Sequence, residues 1–258
     1  MADSWDLIFK ALGGTTHDFT LSPLYLDATT IKRAVKNQNT TGQKEVRILC
    51  KQDTRESRPK CFKDRGLFLL PVVNGKYAII KGEGYIDLPT YTGTPINYES
   101  KLDFVLKSSK IGNSEMQYLD LAYASSVIRT FMDDPSLVLS IRGRKFTPKF
   151  TFKAGEHSHD IVVSSVQTEV DGGYEGKNQI VLIEAKNSGV KNTIIRQLYY
   201  PMRQWSICGK DVKLVFFEAR NNICTLSEFT FDDVNDYHSI KLGKQASYLI
   251  IDPIEPKN

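Results

Sequence analysis

Apolar residues in the first eighty positions fall into short runs whose period changes from helical to strand-like. Trp5, Phe9 and Leu12 recur at helical spacing in "WDLIFKAL", which stops at Gly13-Gly14 and predicts a helix over 5–12 with these residues in the core. "LDATTIKRAV" offers an Asp or Thr cap for a second short helix. "EVRILCK" reads as a strand. "GLFLLPVVNGKYAIIKG" reads as a hairpin, because Asn74-Gly75 separates two apolar, β-prone runs. Helices followed by a hairpin suggest a winged-helix-like α+β module. Residues 87–101, "DLPTYTGTPINYESK", carry two Pro, a Gly and several Thr without periodicity, which predicts a linker or domain boundary there, dividing domains 1–95 and 96–258.

The second half is more regular. Ser114 and Gln117 make an S-x-x-Q capping box, and Met116, Leu119, Tyr123, Val127 and Phe131 follow at helical spacing, predicting a helix over 115–132. Strands are expected at 137–142, 147–153, 160–171 and 179–186, all rich in Val, Ile or Phe. A second amphipathic helix begins near Thr193, burying Ile194, Leu198, Met202 and Trp205, with Pro201 set to kink it. "VKLVFFEA" and "CTLSEFTF" then pair as strands across Asn221-Asn222. The order is helix, three or four strands, helix, strand, an α/β arrangement.

Charged residues interrupt two of these strands. Gln167, Glu169 and Asp171 alternate onto one face of the 160–171 strand, with Asp171 at its end. Glu184 and Lys186 flank small Ala185 and share a face of the next strand, across a turn containing Gly172, Gly173 and Gly176. Buried charge is costly unless paired or coordinated. A cluster of Asp171, Glu184 and Lys186 suits phosphodiester hydrolysis, with hard carboxylate oxygens for Mg²⁺ and a lysine for the attacking water and the scissile phosphate. Glu115, on the first turn of its helix and four residues before inward-facing Leu119, can reach the same site as a further acid. The tripeptide itself is weak, since [DE]-x-K recurs at Glu99–Lys101, Asp211–Lys213 and Glu255–Lys257. The residues alone leave open a solvated strand end closed by a salt bridge.

Composition narrows the class. The 258 residues are 41% apolar and 25% charged, ordinary for a globular chain, and the net charge of +4 permits a polyanionic partner without nominating one. Cys50, Cys61, Cys208 and Cys224 show no CxxC pair and no His at zinc-finger spacing, so neither a structural zinc nor a disulfide framework is expected, and a reducing cytoplasm fits. The N-terminus lacks a basic n-region and a long apolar stretch, and Pro71 interrupts the longest apolar run, so neither export nor a membrane span is expected.

Other polar clusters carry two readings each. Arg196, Tyr200 and Arg203 form a helix stripe with Gln197 beside it, which reads as phosphate contacts or as a solvated face. "SIRGRKFTPKF" gathers Arg142, Arg144, Lys145 and Lys149 as a DNA-facing patch or a charged hairpin. "CKQDTRESRPKCFKDRG" is basic and turn-rich, a DNA-contacting loop or a linker. His157 and His159 in "EHSHD" read as a surface turn.

The element order and "EVD…IEAKN", together with "RILCKQDTRESRPKCFKDRGLFLLPVVNGKYAII", "RGRKFTPKFTF", "SVQTEVDGGYEG" and "RQLYYPMRQW", resemble the PD-(D/E)XK nuclease superfamily and, within it, bacterial type II restriction endonucleases. The resemblance covers most of the chain. It implies a restriction-endonuclease-like core of a central mixed β-sheet flanked by helices, with Asp171, Glu184 and Lys186 in metal and water roles and Asp171 and Glu184 as Mg²⁺ ligands. Gln197 with Tyr200 matches a Gln-x-x-Tyr feature after the E-x-K strand. Val170 stands where many members have Pro. The implied activity is Mg²⁺-dependent cleavage of double-stranded DNA at a specific sequence, by a cytoplasmic homodimer working beside a cognate DNA methyltransferase. A structure-specific nuclease or resolvase, or an inactive DNA-binding protein on the same fold, are the alternatives.

Overall fold

A computed structural model describes residues 3–187 and 189–253, so the E-x-K copy at Glu255–Lys257 lies outside the described residues. The chain forms a mixed α/β structure built on a seven-stranded sheet flanked by helices. Its strand order is Ile96–Glu99, Ile240–Ile251, Ile223–Phe231, Asp211–Arg220, Gln179–Asn187, Gly172–Glu175, Val138–Ile141. Gln179–Asn187 runs parallel to Asp211–Arg220, and Ile240–Ile251 parallel to Ile96–Glu99; the other neighbours are antiparallel.

Alternation divides the central strands between two cores. Ile180, Leu182, Leu214 and Phe216 face the helix Arg196–Trp205, whose Leu198, Tyr199, Tyr200 and Met202 are buried against them. Val181, Ile183, Ala185, Val215 and Phe217 face the helices Glu115–Ala124 and Val127–Phe131. Both faces being covered, these strands are nearly continuous apolar runs. Asn221 and Asn222 both adopt positive φ, at 52° and 61°, which makes the tight turn joining Asp211–Arg220 to Ile223–Phe231.

The N-terminal part holds helices Ser4–Ala11 and Ala28–Ala34, three single-turn helices, and a three-stranded sheet ordered Leu24–Asp27, Lys76–Lys81, Leu67–Val73. Asp27 caps the second helix by accepting from the Thr30 N–H at 2.7 Å. The predicted hairpin forms around Asn74-Gly75 and is buried on both sides. Leu67, Leu69 and Ile79 pack on Trp5, Ile8, Phe9 and Phe62, while Phe68, Leu70, Val72, Ala78 and Ile80 join the core beneath the helix Arg196–Trp205. The N-terminal hairpin and the large sheet therefore share one hydrophobic core.

Several expectations change. "EVRILCK" is helical, not a strand: Glu45 caps Val46–Leu49, burying Val46 and Leu49 at i, i+3 and leaving Ile48 exposed. A short apolar run carries too little periodicity to separate the two states. The stretch 87–101 is not a bare linker, because Ile96–Glu99 forms the edge of the large sheet. The helix expected over 115–132 breaks at Ser126, which sits at φ 71°, and restarts at Val127. Ser114 caps it by accepting from the Gln117 N–H at 3.2 Å, but the Gln117 amide donates to the carbonyls of Ser108 and Ile111 rather than closing the box. The single strand expected over 160–171 is two pieces, His159–Val163 and Gln167–Thr168, separated by a turn at Ser165 with φ 54°. No helix among the described residues is long and apolar enough to cross a membrane.

Candidate functional site

Glu184 and Lys186 continue the face of Gln179–Asn187 that carries Ile180 and Leu182, where the strand runs out from under the helix Arg196–Trp205. Asp171 immediately precedes Gly172–Glu175 rather than ending a long strand. Its N–H donates to the Ile183 carbonyl at 3.1 Å, and its Oδ2 accepts from the Ala185 N–H at 2.8 Å, which fixes the carboxylate beside Glu184. On the other side of the same strand, Gly173 permits a close approach to Val138–Ile141, where a Cβ would clash with Ile141.

Glu184 is 6% exposed. Its Oε1 accepts from the Lys186 ammonium and, at 2.7 Å, from the Gln197 Nε2. The Gln197 carbonyl oxygen in turn accepts from the Thr193 hydroxyl, which fixes the amide orientation. Burial raises the Glu184 pKa to about 7, with Lys186 pulling it down and Asp171 pushing it up. Burial also raises Asp171; the Ala185 N–H and Lys186 oppose the rise, and Glu115 and Glu169 add to it. For Lys186, burial works against the ammonium, but Glu184, Asp171 and Glu115 outweigh it and hold the pKa above its ordinary value. The site thus holds two carboxylates that desolvation makes reluctant to ionise, beside a lysine kept protonated.

A cleft of about 600 Å³ opens onto this cluster. Asp171, Glu184, Glu169, Arg196, Gln197 and Tyr200 line it from the large-sheet side, and Arg47, Lys51, Asp53, Asn74 and Tyr77 line it from the N-terminal part. Hydrogen bonds join the two sides. The Tyr200 hydroxyl donates to the Pro71 carbonyl at 2.9 Å, the Ile194 N–H donates to the Asp53 carbonyl at 2.8 Å, and Arg196 pairs with Asp53 at 3.3 Å.

The sequence-derived candidates separate in space. Asp171, Glu184, Lys186 and Gln197 come together. Glu115 does not line the cleft, yet its charge acts on both Asp171 and Lys186. Arg196 and Tyr200 line the cleft but are engaged: Tyr200 is 1% exposed and tied to Pro71, and Arg196 is tied to Asp53. Arg203 turns away, donating to the Tyr199 hydroxyl and the Val234 carbonyl and lying 4.9 Å from the Phe150 ring centroid. Arg142 pairs with Asp120 at 2.6 Å and Arg144 with Glu169 at 3.2 Å, and neither arginine lines the cleft. Lys51 lies in the basic stretch that begins at Cys50, read as a DNA-contacting loop or a linker, whereas sequence reasoning missed Arg47, three residues before that stretch.

The donor set accords with Mg²⁺. Asp171 and Glu184 supply hard carboxylate oxygens, and one or two carboxylates with solvent or phosphate oxygens complete the shell such an ion takes. Among the described residues, no group of three or more His, Cys, Asp or Glu side chains converges as a dedicated cage. Buried Glu184 and half-buried Asp171, both with raised pKa values, are groups whose ionisation a cation would favour.

Fold and cleft define a mixed α/β protein with two carboxylates, Asp171 and Glu184, facing a groove between two structural parts and Lys186 bonded to one of them. The chain belongs to the family described as Domain of unknown function (DUF6997), whose model matches residues 80–249, more than half of its length. Residues 2–79 match a second model, Domain of unknown function (DUF6996). No curated protein matches the chain, and no solved structure does.

Proposed function

We propose that this chain is a Mg²⁺-dependent endonuclease of the PD-(D/E)XK kind that hydrolyses double-stranded DNA at a specific sequence. The observation that carries the reading is the gathering of Asp171, Glu184 and Lys186 at one place: Asp171 accepts from the Ala185 N–H between the other two, Lys186 donates to Glu184, and both carboxylates line the cleft. The order around them also supports it: a broken helix, three antiparallel strands, the helix Arg196–Trp205, then a strand parallel to the one bearing Glu184. The three single-turn helices and the three-stranded sheet before them support a winged-helix-like N-terminal part.

Asp171 and Glu184 would hold the ion, and Gln197 and the Ala185 N–H fix which oxygens of each carboxylate face it. When bound, Mg²⁺ supplies Lewis acidity to a water and neutralises charge on the phosphate. Lys186, held as an ammonium, acts as a donor that orients the attacking water and stabilises the charge that grows on the phosphate oxygens, rather than as a base. Glu115 adds negative potential that keeps Lys186 charged.

The test is incubation of the purified protein with unmethylated phage DNA in Mg²⁺ or in EDTA, beside Lys186→Ala. Metal-dependent discrete fragments that the variant does not give are expected. Intact linear DNA alongside cut forks, flaps or junctions would move the reading to a structure-specific nuclease. DNA intact in every form would overturn it. A homodimer and a partner methyltransferase belong to the same proposal, and elution at monomer mass with cognate DNA bound would count against the dimer.

A further inference from the structure

The N-terminal wall of the cleft carries two cations, Arg47 and Lys51, across from Glu169, Asp171 and Glu184. Arg47 and Lys51 project from the N-terminal part with side chains 88% and 75% exposed. They sit on the single turn Val46–Leu49 and just beyond it, and both line the cleft. Their local partners are loose: Arg47 lies 3.7 Å from Glu45 and Lys51 lies 4.0 Å from Asp53. Such exposed, long ion pairs contribute little and exchange readily for a better anion. Arg142 and Arg144 differ on both counts, being closely paired and outside the cleft.

Electrostatics also requires cations here. Glu169, Asp171, Glu184 and Asp53 line the same groove, and a polyanion entering it meets their repulsion unless positive charge compensates along its path. The hydrogen bonds between Tyr200 and Pro71, and between Ile194 and Asp53, hold the two walls together before any ligand arrives. The backbone that bears the two cations is therefore held across from Asp171 and Glu184, and their long side chains reach into the groove from it.

From this geometry we infer that Arg47 and Lys51 grip phosphates of the DNA strand that lies in the Asp171–Glu184 cleft, so that the N-terminal part is one wall of the site. The inference rests on the nuclease reading and adds to it the residues that seat the strand. The turn Asn74-Gly75, which lines the same groove, is placed beside that strand.

The test is equilibrium binding of a fluorescein-labelled DNA duplex in EDTA, titrated over a range of salt. Wild type is compared with Arg47→Ala/Lys51→Ala, Arg47→Lys/Lys51→Arg and Lys32→Ala/Arg33→Ala. Lys32 and Arg33 are exposed on the same N-terminal part but do not line the cleft. Each lost phosphate contact flattens the plot of log affinity against log salt by about 0.9. The first double variant should therefore lose about 1.8 of slope and roughly tenfold or more in affinity at low salt. The charge-preserving pair should bind as wild type, and the Lys32/Arg33 pair should keep the wild-type slope. Wild-type binding with an unchanged slope in Arg47→Ala/Lys51→Ala, or an equal loss in both alanine pairs, would overturn the inference and leave the nuclease reading standing. Absence of any wild-type binding to duplex would overturn both.

Discussion

Gln197 and Lys186 donate to the same oxygen of Glu184, so one buried carboxylate atom is shared between a helix amide and a strand ammonium. That sharing couples the position of Lys186 to the helix Arg196–Trp205. Lys186→Ala and Asp171→Asn should each abolish cleavage while leaving DNA binding within about tenfold, because these groups act on the transition state rather than on the bound duplex. Single-turnover cleavage beside equilibrium binding checks this, and near-wild-type cleavage by either variant would remove the site assignment.

The raised pKa of Glu184 makes stability depend on pH. Its folded value of about 7 lies above the ordinary 4.5, so between these values the folded chain binds more protons than the unfolded one. Stability contributed by this group must then fall as pH rises from about 4.5 to about 7 and level off above. Glu184→Gln should remove that slope. Urea denaturation of both proteins across the window measures it, and identical slopes would mean that Glu184 titrates normally.

Mg²⁺ should work against that penalty. An ion that binds only the folded chain stabilises it by about 2.7 kcal/mol at a hundredfold excess over its dissociation constant. A rise in thermal midpoint with Mg²⁺, lost in Asp171→Asn and Glu184→Gln and reversed by EDTA, is expected. An equal rise in all three proteins would place the ion elsewhere.

Tyr200→Phe separates two roles for one residue. Its hydroxyl donates to the Pro71 carbonyl. Removing it should cost about 1 to 3 kcal/mol of stability by orphaning that acceptor, with the salt slope of DNA binding unchanged. A changed slope at unchanged stability would instead make Tyr200 a direct contact with DNA.

Gly173→Ala tests whether the spacing between Gly172–Glu175 and Val138–Ile141 helps to place Asp171. The added methyl meets Ile141 and must push two strands apart, at a cost of roughly 1 to 3 kcal/mol. Activity should fall further than stability alone explains, since the displaced strand begins next to Asp171. Wild-type activity in a stable variant would show that the strand spacing is not what places the carboxylate.

The carboxylate–lysine cluster was legible because strand period is strict: two-residue spacing in an apolar run put Glu184 and Lys186 on one face whatever the tertiary context. The bend at Ser165 was not legible, because a non-glycine residue at positive φ carries no local signal in "VVSSVQ". Pairing of Ile96–Glu99 with Ile240–Ile251 was hidden for another reason, being a parallel contact between distant segments of which one lies among prolines. The cleft wall was least legible of all, since Arg47 and Lys51 gain meaning only when the chain folds them beside residues more than a hundred positions away.

The two family matches meet between residues 79 and 80, inside the strand Lys76–Lys81. A chain cut there loses Ile80 and Lys81 from a ladder that already pairs with Leu67 and Phe68, and strands an apolar face made by Phe68, Leu70, Val72 and Ala78. The head of this protein is thus not an exchangeable cassette. A borrowed head would arrive without Phe68, Leu70, Val72 and Ala78, the residues through which this one joins the interior beneath the helix Arg196–Trp205.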